Sequence, residues 1–365
     1  MLAWYSVPPG EFATVERYQE LRDAGFTHTY SDINNKKDAL KALDLAAKVG
    51  MKLVFLCSEV EDNPEAIVQE VKKHPGLAAY FLSDEPQNDK FEYLGKWARR
   101  IESIDKKHPC YLNLLPSFPF HPEDYKEHLR LFDEIVNLPQ LSYDHYPIRM
   151  TSDGNAVNPT FWENLELVSA QARRSNKSFW AFALTTAHYA YPIPTIGHLR
   201  LQFYSDLAYG AQLLQHFTYW NPDTTLGDYH QAPITLEGKR SPAYELVREM
   251  NQEIQNRAFV FKGCKVESVY HLGDTIPMGT KRLTQLPSRF LELDTHGKNA
   301  LISTLSNNGN RYVVIQNISI TEELPLDVCT DNTVKLIRRD GTSQQASKYG
   351  PLFILPIGDI LVFEY

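Results

Sequence analysis

At 365 residues, with 43% of them apolar, the chain has material for about two domains on a prior of one per ~150 residues. Its net charge of −8 comes without a basic block, which removes the electrostatic footprint that a nucleic-acid partner requires. No run approaches the ~18 apolar residues that span a bilayer, and Cys57, Cys110, Cys264 and Cys329 lack CxxC or Cys/His metal spacing, reading instead as free thiols.

A strand-then-helix alternation begins at the N-terminus. Strand-like LAWYSV (residues 2–7) precedes helical VERYQELRDAG, which stops at Gly25, and FTHTYSD (26–32) precedes KKDALKALDLAAKVG, which stops at Gly50. MKLVFLCS (51–58) leads to a helix introduced by Asp62, Asn63 and Pro64, and LAAYFLSDE (77–85) leads to KFEYLGKWARRIESIDKKH. PCYLNLLP (109–116), LSYDHYPI (141–148), SFWAFALTT (178–186) and AQLLQHFTYW (211–220) supply four more strands, each followed by a helical segment. Eight such units over about 257 residues predict an α/β fold, a (β/α)8 TIM barrel. A doubly wound open sheet is the alternative, but the first strand-helix turn carries no GxGxxG loop.

Beyond Arg257 helical periodicity gives way to short alternating segments. VESVYHLG, RFLELDTHG, ALISTLSNNGNRYVVIQNIS, TVKLIRRDG and PLFILPIGDILVFEY are punctuated by Asn-Gly, Asp-Gly and Gly-Asp turns. The expected layout is a barrel over residues 1–257 and an all-β sandwich over 258–365. No basic-then-apolar leader precedes the first strand. That is the form of a periplasmic or extracellular protein whose signal peptide has been removed, and otherwise of a cytoplasmic one.

Ligand sites of such barrels lie at the carboxyl ends of the strands, and the strand ends can be read directly. They collect Trp4 and Tyr5, Asp32, Ser58, Asp84 and Glu85, Asn113, Asp144 with His145 and Tyr146, Thr185 with His188, and Tyr219 with Trp220. Carboxylates, amides, hydroxyls and aromatic rings together suit a sugar, whose hydroxyls need hydrogen-bond partners and whose C–H faces stack on rings. The partner expected is therefore a carbohydrate, with no cofactor. The absence of a strand-end Lys argues against Schiff-base chemistry. A metal centre built on Asp84, Glu85, Asp144, His145 and His188 competes, but no HxH or HExxH spacing supports it. Blander readings also stand: Asp84 or Glu85 as the cap of the next helix, Asp144 as an orienter of Tyr143, Tyr146 or an Arg, and His216 as an interior histidine.

On AGF (24–26), KVGMKLVF (48–55), HPGLAAYFLSDEP (74–86), FTYW (217–220) and SPAYELVREMNQEI (241–254), the chain resembles the (β/α)8 glycoside hydrolases of the retaining β-glycosidase clan. The segments look similar in type and order to the family 42 β-galactosidase-like group in particular, and to bacterial relatives with DEP in strand four. The resemblance implies cleavage of glycosidic bonds, with Glu85 as general acid/base, Asp84 where the clan has Asn, and Trp220 beneath the sugar. Strand seven departs from that pattern, because FWAFALTTAHY (179–189) holds no carboxylate where the clan places its nucleophile.

Cleavage needs two carboxyl groups, and Glu85 with Asp144 is the expected catalytic pair, Asp32 standing in reserve. Trp4, Tyr5, Asp32, Asp84, Asn113, His145, Tyr146, His188, Tyr219 and Trp220 are the expected substrate contacts. Glu85 should be partly buried with a raised pKa. The pair should stand roughly 5 to 5.5 Å apart for a covalent intermediate or roughly 6.5 to 9.5 Å for an intervening water, the wider gap favoured by the short Asp. A sugar-binding barrel without catalysis and a metal-dependent lyase or isomerase are the alternatives.

Overall fold

A computed structural model of the chain describes residues 1–118, 120–346 and 352–365. The strands β1 (Leu2–Trp4), β2 (His28–Thr29), β3 (Lys52–Phe55), β4 (Leu77–Asp84), β5 (Cys110–Asn113) and β6 (Gln140–Tyr143) come first. An antiparallel hairpin, β7 (Ile148–Thr151) with β8 (Gly154–Val157), interrupts the series before β9 (Ser178–Leu184) and β10 (Leu213–Phe217) complete it. Apart from the hairpin these strands are parallel, in the order β5-β4-β3-β2-β1-β10-β9-β6. A bridge between Leu114 and Tyr143, with Leu114 N–H donating to the Ser142 carbonyl at 2.7 Å, closes β5 onto β6. The fold is thus a (β/α)8 barrel, followed in the chain by an all-β sandwich.

The helices are α1 (Val15–Asp23), α2 (Lys36–Lys48), α3 (Glu59–Asp62), α4 (Pro64–Val71), α5 (Phe91–Ile104), α6 (Pro122–Leu131), α7 (Thr160–Arg174), α8 (Ile196–Ala208), α9 (Pro242–Asn256) and α10 (Ala258–Phe261). Local chemistry sets their ends. Asn35 caps α2 by accepting from the Asp38 N–H at 2.9 Å, and Gly50, at φ +71°, supplies the left-handed turn beyond it. Pro64 opens α4 where no N–H is missed, while Asn63 accepts from the Ala66 N–H at 3.2 Å.

Two compact units emerge. One comprises Met1–His145, Ala170–Tyr189 and Leu213–Arg248 and holds the whole barrel sheet. Its interior is aromatic: the Trp4 ring lies 5.3 Å from Phe81, 5.9 Å from Tyr111 and 5.1 Å from Phe182, all edge-on.

The second unit comprises Tyr146–Ser169, Ala190–Gln212 and Glu249–Tyr365. Besides the hairpin β7–β8, its strands are β11 (Lys265–Leu272), β12 (Phe290–Asp294), β13 (Ala300–Asn307), β14 (Asn310–Asn317), β15 (Leu324–Thr330), β16 (Lys335–Ile337), β17 (Ser343–Gln345), β18 (Leu352–Leu355) and β19 (Ile360–Glu364). A sheet β11-β13-β14-β19-β16-β17 faces a smaller one, β12-β15-β18, around Phe290, Ile302, Val313, Ile315, Leu326, Val328 and Phe363. Helix α8 is bound to this sandwich by polar contacts: Ser303 Oγ donates to the Ala208 carbonyl at 2.7 Å, and Gln316 Nε2 to that of Leu201 at 3.0 Å. Arg200 is paired with Glu253, which also accepts from the Tyr204 hydroxyl at 2.9 Å.

Two differences from the expected strands have a local cause. The sixth barrel strand stops at Tyr143, and the segment toward Ile148 turns away before Pro147, which has no N–H to donate. Strand β15 is not among the expected segments; it carries Pro325 as its second residue, paired with Ile354. The last expected strand segment begins at Pro351, which lies outside the described residues.

Asp206 in α8 is buried, and neither carboxyl oxygen has a hydrogen-bond partner among the described residues. Burial holds its pKa well above the usual carboxylate range, so the folded chain keeps it protonated while the unfolded chain ionises above ~3.9. Stability therefore falls as pH rises through that interval. Asp206→Leu is expected to add about 1–3 kcal/mol to the unfolding free energy at pH 8, and less at pH 4, in denaturant titrations at the two pH values.

Candidate active site

The rim chemistry is concentrated on one arc, β4 to β6. Asp84, the last residue of β4, pairs in register with Asn113, the last of β5, and closure of the sheet sets Asp144 beside them. Asn113 is almost fully buried, and its Nδ2 donates to Asp84 Oδ1 at 3.2 Å and to Asp144 Oδ1 at 2.9 Å. Its Oδ1 accepts from Ser142 Oγ at 3.0 Å, which fixes the amide with its donors toward the acids.

Glu85 joins this group through its backbone. Side chains on a regular strand alternate between faces, so Glu85 would point away from Asp84 if β geometry continued. Instead it takes φ +46°, and its N–H donates to the Asn113 carbonyl at 2.8 Å. A non-glycine residue in this region costs about 1–2 kcal/mol, a strain expected where function over-determines the backbone. The turned side chain hydrogen-bonds the Asp144 carboxyl. Two carboxyl groups in direct contact share a proton, and they are closer than the roughly 5 to 9.5 Å that separates carboxyl groups flanking a scissile bond. The expected wide gap between Glu85 and Asp144 is not present.

The electrostatics follow. Burial first, then the charges of Glu85 and Asp84, hold the Asp144 pKa well above its ordinary value. Burial also raises that of Glu85, against the bond from Asp144, as the sequence reading expected; the side chain is nevertheless more open to solvent than it implied. Asp84, crowded by protein but still reached by water, is pushed up to about 6 by burial and by Glu85.

The other expected residues divide. Tyr5 is half-buried, its hydroxyl pushed up to about 12 by burial and by the charges of Asp84 and Asp32, so it stands within reach of both fields. Tyr5, Asp32 and Trp220 line a 740 Å³ cavity together with Pro8, Phe12 and Leu226. Trp4 is buried beneath them as part of the barrel interior. His188 is buried with its ring 4.8 Å from that of Tyr229, and burial keeps its pKa low and the ring neutral. His145 is buried, its ring 6.3 Å from Phe118. Tyr146 opens the second unit and sets its ring edge-on to Tyr191 at 6.0 Å. Tyr219 is not brought to the acids: it is buried against Phe26 at 5.5 Å and Tyr244 at 6.5 Å, since alternation sends it to the side opposite Trp220.

Strand β9 ends without a carboxylate, as its sequence requires, and its terminal threonines hold neighbouring chain instead. Thr185 Oγ1 donates to the Thr218 carbonyl at 2.8 Å and Thr186 Oγ1 to that of His230 at 3.1 Å, while Ala187 and His230 exchange backbone hydrogen bonds. This anchors the long loop 218–241, which contributes Asn221, Asp223, Leu226 and Leu236 to the cavity wall. Those residues and Phe12 were missed by the strand-end reading; the length of the loop was the available signal. Among the described residues, no group of three or more His, Cys, Asp or Glu is arranged to hold a metal ion.

Residues 87–257 match the family model of glycoside hydrolase family 42, described as β-galactosidase. Over those residues the chain is similar to the family 42 glycoside hydrolases. The match begins just beyond Glu85, so it includes Asp144 but not the acids of β4. No curated protein matches the chain. Among solved structures, the chain is similar to a β-galactosidase from Bacillus circulans sp. alkalophilus, at 9% identity over 99% of this chain and 98% of that one, with a TM-score of 0.64. It is also similar to β-galactosidases from the psychrophilic Marinomonas ef1 (12% identity, TM-score 0.51) and the haloarchaeon Halorubrum lacusprofundi (13%, 0.51). Each of those two aligns over 70% of this chain, which spans 60% and 58% of their respective lengths. At such identities the likeness is one of fold.

The strain at Glu85 can be measured. Glu85→Asn, which tolerates a left-handed backbone and removes a carboxyl from the cluster, is expected to stabilise the fold by about 1 kcal/mol in urea unfolding.

Proposed function

We propose that this chain is a glycoside hydrolase cleaving a glycosidic bond in an oligo- or polysaccharide by carboxylate acid/base catalysis, with residues 1–257 as the catalytic barrel and 258–365 as the sandwich. The observation that carries the reading is the cluster of acids, Asp84 and Asp144 joined by the Asn113 amide and Glu85 bonded to Asp144, together with a cavity with aromatic walls whose Tyr5 feels the charge of Asp84. Glu85 is the general acid. Being the more open member of the proton-sharing couple, it can reach a leaving oxygen, and burial raises its hold on the proton against the bond from Asp144. Asp144 is thus a partner of the acid rather than the carboxylate opposite it.

That second role falls to Asp84. With its pKa near 6 it is ionised at neutral pH, when the couple still keeps a proton, and can activate water or attack the anomeric carbon. Tyr5, Asp32 and Trp220, with Phe12 and Leu226, receive the sugar in the cavity, whose volume lies in the usual range for ligand pockets.

Hydrolysis of a panel of aryl glycosides and unactivated oligosaccharides tests the assignment. Wild type should turn over at least one, and Glu85→Gln should lose about 10²–10⁴-fold on an unactivated sugar, with a smaller loss on a nitrophenyl leaving group that needs no proton. The value of kcat/KM should rise as Asp84 ionises near pH 6 and fall when the couple loses its proton. Sugar binding without turnover by wild type would identify a carbohydrate-binding barrel that has lost its catalysis.

A further inference from the structure

The Asn113 amide is itself held from below. The Tyr111 hydroxyl donates to Gln215 Oε1 at 2.7 Å, and Gln215 Nε2 donates to Ser142 Oγ at 2.8 Å. Ser142 then donates to Asn113 Oδ1 at 3.0 Å. All four residues are buried, so bulk water does not compete for these groups. The chain passes through β5, β10 and β6 and returns to β5, crossing the barrel interior.

Its direction is set at the rim. Asp84 and Asp144 present acceptor oxygens, so an amide oxygen turned toward them would meet lone pairs, whereas the amide nitrogen gives a donor to each. Each earlier link must then run the same way, because a Ser142 proton committed to Gln215 would leave Asn113 Oδ1 without its donor. Ser142 Oγ also lies 3.4 Å from the Tyr111 hydroxyl, an alternative acceptor waiting if Gln215 is lost.

We infer that Gln215, acting through Ser142, is a positioning residue that keeps both Asn113 donors on Asp84 and Asp144. Without Gln215, Ser142 turns toward Tyr111, the Asn113 amide is free to rotate, and the two acids lose donors that favour their ionised forms. The other titratable groups facing these acids are Glu85 from β4, Tyr111 from β5, Tyr5 beyond β1 and Tyr30 beyond β2. Glu85, Tyr5 and Tyr30 lie outside the chain and are left in place by substitution at Gln215 or Ser142; Tyr111 loses its acceptor in Gln215→Met but keeps it in Ser142→Ala, which therefore isolates the effect of the Asn113 amide.

Two readouts test the idea on the full chain. The first is ¹³C-detected titration of the aspartate carboxyls, which requires no turnover. The second is the pH profile of kcat/KM, which rests on the hydrolase reading above. In Gln215→Met and Ser142→Ala the Asp84 titration and the acidic limb of the profile are expected to move up by about one to two pH units, the worth of a hydrogen bond to a charged group. Ser142→Thr, which retains the hydroxyl, is expected to stay at the wild-type position. Unmoved carboxyl titrations in a folded Gln215→Met or Ser142→Ala protein, or an equal shift in Ser142→Thr, would overturn the inference. If Gln215→Met does not fold, the Ser142 pair decides alone. Shifted titrations in a protein that hydrolyses nothing would support the inference and count against the proposed activity.

Discussion

Closure of the sheet between β5 and β6 is the constraint on which the chemistry at the rim depends. One bridge, Leu114 to Tyr143, brings Asp144 within reach of an amide that register has already placed beside Asp84. In an open sheet with β5 and β6 at opposite edges, no side chain could join these acids. The closure also forms the enclosed interior in which Gln215 from β10 meets Ser142 and Tyr111. Charge at the top and packing inside thus follow from the same geometric event.

Much of this was legible in the sequence. Alternation of strand and helix gave away the barrel because each unit carries its own punctuation, such as Gly25, Gly50 and Pro64, and these signals are local. LAAYFLSDEP disclosed both a buried strand and the acids at its end. Tyr219 and Trp220 were harder to separate: both sit at a strand end, and only the pleat decides that one faces Phe26 while the other lines the cavity. Nor could the contact between Glu85 and Asp144 be read, since it depends on a left-handed backbone at a residue whose identity does not demand one. The Gln215 chain was hidden for a related reason, as its members lie far apart in sequence and look like ordinary polar residues of buried strands.

In the second unit polar groups also carry much of the organisation. Helix α8 has nearly every side chain buried, so an apolar stripe cannot describe it, and its contacts with β13 and β14 are made through Ser303 and Gln316. Arg200, Glu253 and Tyr204 satisfy one another there, which is the condition under which buried charge is tolerated. Asp206 stands outside that network and remains neutral instead.

The ring of strands divides its labour by sector. Acids occupy the sector from β4 to β6, whereas the opposite sector, with its threonine-tethered loop 218–241, shapes the cavity. Because the loop is fastened to β9 mainly through backbone carbonyls, its cavity-lining Leu226 and Leu236, both exposed, take no part in that attachment. Exchanging Leu226 or Leu236 would therefore remodel what the cavity admits while the acid cluster stays intact. In evolutionary terms, the shape of the cavity can drift on one side of this barrel while the acid cluster on the other is left as it is.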